Sequence, residues 1–310
     1  MRETTNTHKL SCLLLLITLI FGTYSQGQSS KKIKVFILAG QSNMDGRGDA
    51  SKLTSQELNQ LKFAQERVQY YYKGSVSKKD TIVVSGPLQV TNPWKFVQQK
   101  FRLEKCFGPE LFFGMELAGY FPDKKFMFIK RSQGGTSLYG AWNPNWSIEK
   151  ASLIKEQDKP QLFADMIKVV DAQLKSLSPN EYELAGMLWV QGESDSGKRF
   201  GPLPSETYGL HLQQLIESVR SYYKRPDLPF LMLNVGGGKV IDGMEETSKK
   251  VHNVTLIKRS KNPSNPNYTP IYTHNWNGKP AGHYNYTGMK KIGQLFFEAY
   301  VNNYVTFITE

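Results

Sequence analysis

The chain has 310 residues and a formal net charge of +12, with 39% hydrophobic residues, which is long enough to bury a sizeable core. Its lysines fall in scattered pairs such as Lys31–Lys32, Lys78–Lys79 and Lys249–Lys250. No stripe or single helix gathers them, which argues against nucleic-acid binding and describes a solvated basic exterior, with attraction to acidic glycans left open.

Taken in chain order, residues 1–26 read as a secretory signal peptide. Arg2 and Lys9 precede an apolar run at 13–21, followed by Gly22, Thr23 and Ser25. That run is about half the ~20 apolar residues of a membrane span, so no span is expected, and the mature protein is expected to be secreted or periplasmic. Cys12 leaves with the leader and Cys106 remains, which precludes an internal disulfide. Residues 31–310 contain no repeat and no Pro- or Ser-rich linker, and they read as one domain.

An apolar run at 33–38 suits a strand buried on both faces. Gly40-Gln41-Ser42-Asn43-Met44 follows it directly, where Gly40 allows a sharp turn and Ser42 can project its hydroxyl. Met44 stands where the nucleophile elbow of α/β-hydrolases has a second glycine. The plain alternative is that Ser42 caps a helix. The stretch 66–108 reads with difficulty; 68–72 and 81–84 suit an inserted hairpin. Pro109 and Glu110 open a helix that runs to about Gly119, since proline suits a first helical position and glutamate the helix dipole.

A second strand at 126–129 leads into Arg131-Ser132-Gln133-Gly134-Gly135-Thr136, whose paired glycines free backbone N–H groups to face an anion. A helix at 161–177 precedes a third strand at 184–190. After it comes Gln191-Gly192-Glu193-Ser194-Asp195, with an amide donor and two carboxylates. A helix at 205–223 and strands at 230–235 and 254–257 follow. The Asn- and Pro-rich 260–282 reads as a surface loop ending in Gly282-His283-Tyr284-Asn285, just before a terminal helix at 287–301. That helix fixes the position of His283, whereas nothing comparable fixes His274.

Strands alternating with helices predict an α/β fold with a three-layer, doubly wound parallel sheet. Such sheets bind ligands beyond the carboxyl ends of their strands, where three of these motifs fall. Together they supply a hydroxyl nucleophile, a histidine base, amide donors and a carboxylate, the parts of a serine acyl-transfer site.

These four motifs resemble the sialate O-acetylesterase-like carbohydrate esterases, relatives of acetyl xylan esterases within the SGNH hydrolase superfamily. The resemblance covers about residues 33–301. It rests chiefly on Gly40-Gln41-Ser42-Asn43-Met44 and Gln191-Gly192-Glu193, with weaker agreement at Gly108-Pro109-Glu110 and Gly134-Gly135-Thr136. It implies a flavodoxin-like SGNH fold and hydrolysis of O-acetyl esters on carbohydrates, with neither metal nor cofactor. Ser42 would be nucleophile and His283 base. The oxyanion hole would comprise the Ser42 amide, a Gly134 or Gly135 amide and the Gln191 side chain. Many relatives carry an aspartate three residues before the histidine, where this chain has Pro280; Glu193 is the expected third member, with Asp195 as alternative. Gln41, Asn43, Trp142 and Asp195 are the expected substrate contacts, and Tyr139, Trp146 and Trp276 are further loop aromatics able to stack on sugars. Rival readings are a carbohydrate-binding protein with a degenerate esterase site, and an esterase or thioesterase with a non-sugar substrate.

Overall fold

A computed structural model describes residues 32–75, 81–197, 201–273 and 282–305. The leader, His274, Trp276 and Pro280 lie outside the described residues. Among the described residues nine strands occur in chain order: β1 (Ile33–Gly40), β2 (Gly48–Asp49), β3 (Val68–Ser75), β4 (Thr81–Pro87), β5 (Cys106–Phe107), β6 (Phe126–Ser132), β7 (Tyr182–Val190), β8 (Phe230–Leu233) and β9 (Val254–Ile257). Seven form one sheet in the order β4-β3-β6-β1-β7-β8-β9, parallel except for β4 at one edge, while β2 and β5 pair separately. The buried centre is β1, whose Val35 to Ala39 are fully enclosed. An unalternating apolar run is what a strand covered on both faces requires.

The expected hairpin at 68–84 exists, but it extends the main sheet rather than standing apart from it, because β3 pairs in parallel with β6. Its sequence alternates, as in Gln69 exposed and Tyr70 buried, because it lies toward the sheet edge.

The helices are α1 (Ser42–Asp45), α2 (Ser55–Gln65), α3 (Lys95–Phe101), α4 (Pro109–Tyr120), α5 (Ile148–Leu153), α6 (Leu162–Leu174), α7 (Leu203–Glu206), α8 (Tyr208–Tyr222), α9 (Lys239–Lys250) and α10 (Tyr286–Tyr304). Successive residues of a strand point to opposite faces. Lys130 of β6 pairs with Glu110 of α4 at 2.8 Å, while Arg131 pairs with Asp165 of α6 at 2.7 Å. Those two helices therefore cover opposite faces. On the α4 side lie α2 and α10, tied by Glu57 to Tyr286 and Lys290; α8 lies on the α6 side, where Tyr222 and Tyr223 donate to Asp171. Phe36, Phe113, Phe128 and Tyr300 pack edge-on or stacked in the first layer, and Trp142 meets Trp189 at 5.2 Å in the second. No described helix is long and apolar enough to cross a membrane.

Candidate active site

The chain leaving β1 turns to the α2 face, and the chain leaving its neighbour β6 turns to the α6 face. Diverging connections between adjacent parallel strands open a crevice at their carboxyl ends. Gly40 makes the turn: its φ is +151°, and a Cβ there would collide with the Val190 carbonyl oxygen. Ser42 follows at the first turn of α1, where amide groups lack helical partners; Met44 and Asp45 donate to the Gln41 carbonyl, whereas Ser42 and Asn43 precede that ladder. Beneath this turn the enclosed Lys130 ammonium, paired with Glu110, donates to the carbonyls of Met44 and Asp45 at 3.2 Å each. The Ser42 turn is thereby braced from the sheet.

His283 Nε2 lies 3.0 Å from Ser42 Oγ, across 241 residues of sequence. This is hydrogen-bonding distance, suited to proton transfer. The imidazole is walled by the Phe101 ring, edge-on at 5.3 Å, which in turn meets Tyr272 at 5.0 Å. Its backbone is held as well: the His283 carbonyl accepts from Tyr272 N at 2.8 Å, and Tyr284 N donates to Asn43 Oδ1 at 3.4 Å.

Gly134, just after β6, lies against the serine, where a Cβ would stand 3.4 Å from Ser42 Cβ, ordinary contact distance; Gly135 has a φ of +66°. Both line a cleft of about 460 Å³ with Ser42, His283 and Gln41. Ser42, Gly134 and Gly135 thus line one cleft, so the two glycines lie near the serine hydroxyl.

The remaining expected residues fall elsewhere. Gln191 is fully buried, and its amide nitrogen donates to the Thr136 carbonyl at 2.9 Å and to Asp195 Oδ2 at 2.6 Å. With both hydrogens spent, the expectation that it donates to the oxyanion is corrected: it anchors the loop carrying the paired glycines. Asp195 is buried too, accepting from the amides of Leu138 and Tyr139 at 2.9 and 3.0 Å. It orders the same loop instead of touching substrate, and burial pushes its carboxyl up to about 7 against the pull of those donors. Trp142 is wholly enclosed, donating to Thr136 Oγ1 at 3.0 Å and packing on Trp189. It is a core residue, as is the buried Tyr139.

Glu193 Oε1 accepts from Asn43 Nδ2 at 2.6 Å, and its Oε2 is buried without a partner. Burial raises its pKa, and the Asn43 bond opposes the rise. Among the described residues its hydrogen bond is to Asn43 and not to the imidazole, so the expected direct contact with His283 is replaced by an indirect one. Asn43, 3% exposed, spends both ends of its amide on Glu193 and Tyr284 N and is not free for substrate. Gln41 lines the cleft while its Oε1 accepts from Ser194 Oγ at 2.7 Å.

Sequence reasoning missed the wall of the cleft. Trp94, Phe96, Lys100 and Phe101 come from the α3 region, Asp45 from the end of α1 and Arg47 from the turn after it. Asp45 and Arg47 had a signal in their adjacency to the serine block. The α3 residues had none, because nothing in their spacing reveals that a short helix at 95–101 folds over the crevice.

Residues 32–302 match the family model described as carbohydrate esterase, sialic acid-specific acetylesterase. No curated relative matches. Among solved structures, a protein from Arabidopsis thaliana superposes with a TM-score of 0.56 at 19% identity, covering 88% of this chain and 100% of that one. The protein titled NanS gives 0.56 at 15% identity over 88% and 98%. A carbohydrate acetylesterase from Xanthomonas citri gives 0.54 at 12% identity over 87% and 56%. Likenesses at these identities speak for the fold. With the family match spanning nearly the whole described chain, this protein belongs to the sialic acid-specific acetylesterase family of carbohydrate esterases and is a carboxylic ester hydrolase.

Proposed function

We propose that the protein removes O-acetyl groups from glycans, of the sialic acid or xylan type, through an acetyl-enzyme on Ser42. The reading rests on the 3.0 Å approach of His283 Nε2 to Ser42 Oγ, beside two glycine amides in an open cleft. In this mechanism His283 takes the hydroxyl proton as Ser42 attacks the acetyl carbonyl, and the amides of Ser42, Gly134 and Gly135 hold the negative oxygen. His283 then returns the proton to the sugar oxygen as it leaves. Water, deprotonated by the same imidazole, attacks the acetyl-enzyme and releases acetate. Glu193 serves as a positioning residue, acting through Asn43 on the backbone that carries His283.

Acetate release from a panel of acetylated sialic acids and xylo-oligosaccharides, with Ser42→Ala and His283→Ala as controls, tests the proposal. Both variants are expected to lose at least a thousandfold in kcat. Retained turnover in Ser42→Ala refutes the assignment. The leader, read as a signal for export, leads us to place this activity outside the cytoplasm; the size of the secreted chain tests that.

A further inference from the structure

Two adjacent glycines give the turn after β6 wide backbone freedom, since neither carries a side chain to limit it. Packing does not hold Gly135 either: it is exposed, and a Cβ there would meet nothing within 4 Å. Among the described residues, the one hydrogen bond made by either glycine runs from Lys159 Nζ to the Gly135 carbonyl. Lys159 is itself held by Glu156 at 2.9 Å, in a tight turn where Lys159 N donates to the Glu156 carbonyl at 3.0 Å. Glu156 is fully buried and grips the far half of the same loop. Its carboxylate accepts from Ser137 N at 3.1 Å, from Ser137 Oγ at 2.9 Å and from Ala141 N at 2.9 Å. Gly140 makes room for it, as a Cβ there would stand 2.5 Å from Glu156 Oε2. Lys159 does not line the Ser42 cleft; it lines a separate basic hollow of about 460 Å³, with Lys73, Arg131 and Lys168.

A carbonyl facing an ammonium accepts a charge-assisted hydrogen bond, stronger than a neutral one. Fixing the Gly135 carbonyl restrains the backbone on both sides of that residue. It therefore limits rotation of the Gly134–Gly135 peptide, whose N–H is otherwise free to turn away from Ser42. We propose that Lys159, set by Glu156, is a positioning residue for the reaction, holding the paired glycines so that their amides face the acyl oxygen. The inference rests on the proposed esterase reading, in which those amides hold the oxyanion. Full negative charge on that oxygen develops only toward the transition state, so losing the hold lowers kcat and leaves substrate binding in place. Gln191 and Asp195 order the loop from within the core; Lys159 acts on the glycines themselves.

Steady-state hydrolysis of p-nitrophenyl acetate by the full-length protein and four Lys159 variants tests it. Lys159→Met should lose roughly tenfold to a hundredfold in kcat, the rate equivalent of one charge-assisted hydrogen bond, with KM within about twofold of wild type. Lys159→Arg keeps the charge and the donors and should restore most of the loss. In Lys159→Ala, ethylammonium entering the hollow should raise kcat severalfold, whereas tetramethylammonium, which has no N–H, should not. Removing the ammonium leaves Glu156 buried without its cation, so kcat is counted per folded molecule from urea unfolding curves. Lys159→Gln, one atom shorter but still able to donate to Glu156, replaces Lys159→Met where that variant fails to fold. An unchanged kcat in the folded variant overturns the inference, as does a loss confined to KM. So does a loss in kcat that neither Lys159→Arg nor ethylammonium relieves. Those results leave the esterase reading standing, since it depends on wild-type turnover and its loss in Ser42→Ala. A wild type that hydrolyses neither p-nitrophenyl acetate nor any acetylated glycan removes the reading and the inference together.

Discussion

Replacing Glu193 with glutamine separates two roles that this glutamate could hold in the proposed mechanism. The substitution keeps the shape and preserves an oxygen to accept from Asn43 Nδ2, now 2.6 Å away. It turns a charge-assisted hydrogen bond, worth about 1.5–3 kcal/mol, into a neutral one worth about 0.5–1.5. Against that loss of about 1 kcal/mol stands relief of the burial that raises the Glu193 pKa, so stability should change by no more than about 1 kcal/mol. If Glu193 acts through Asn43 on the His283 backbone, kcat/KM should fall by about fivefold, the rate equivalent of 1 kcal/mol. If it orients the imidazole directly, neutralisation should cost about 10⁴ in kcat, as loss of a triad acid does. Steady-state hydrolysis of p-nitrophenyl acetate by Glu193→Gln, Asn43→Ala and the double variant decides. The geometry predicts that the two single losses overlap, so the double variant is barely worse than Asn43→Ala. A loss of a thousandfold or more in Glu193→Gln, with Asn43→Ala nearly active, would refute the indirect route.

Three other expectations follow from the same geometry. Burial raises Asp195 to about 7, so the folded state binds a proton that the unfolded chain has lost above its ordinary value of 3.8. That contribution to stability is full below 3.8 and disappears as pH rises to 7, a span on the order of 4 kcal/mol; chemical unfolding should show the decline, and Asp195→Asn should flatten it. Glu57 behaves oppositely: burial disfavours its charge, but Lys290, Tyr286 and Thr54 outweigh burial and hold it down at about 2. Its contribution is present above 4.5 and lost as pH falls toward 2, and Glu57→Gln should cost about 2 kcal/mol at neutral pH, discounted for the partly exposed Lys290; thermal unfolding at pH 7 and pH 3 measures both. Gly40→Ala drives a methyl group into the Val190 carbonyl. It should destabilise by about 3 kcal/mol or more, and a variant melting like wild type would contradict the turn described here.

Local patterning determined much of this protein. Short apolar runs marked β1, β6, β7, β8 and β9, because a strand covered on both faces has few polar positions to spare. Ser42, Gly134, Gly135 and His283 were legible as candidates, since each sits in a short block whose chemistry and place after a strand or before a helix are local properties. What sequence could not decide is where each polar side chain spends its hydrogen bonds. Gln191, Asp195 and Trp142 were expected at the substrate and lie in the interior instead. A carboxamide or carboxylate near a glycine turn serves equally to bind a ligand or to order the turn, and only the distance to Thr136, Leu138 and Tyr139 distinguishes these roles. Likewise the α3 wall of the cleft and the basic hollow beyond Gly135 exist because distant segments converge, Lys73 meeting Asp165 across 92 residues. Charge counted along the chain looked scattered; folding gathers part of it into one place.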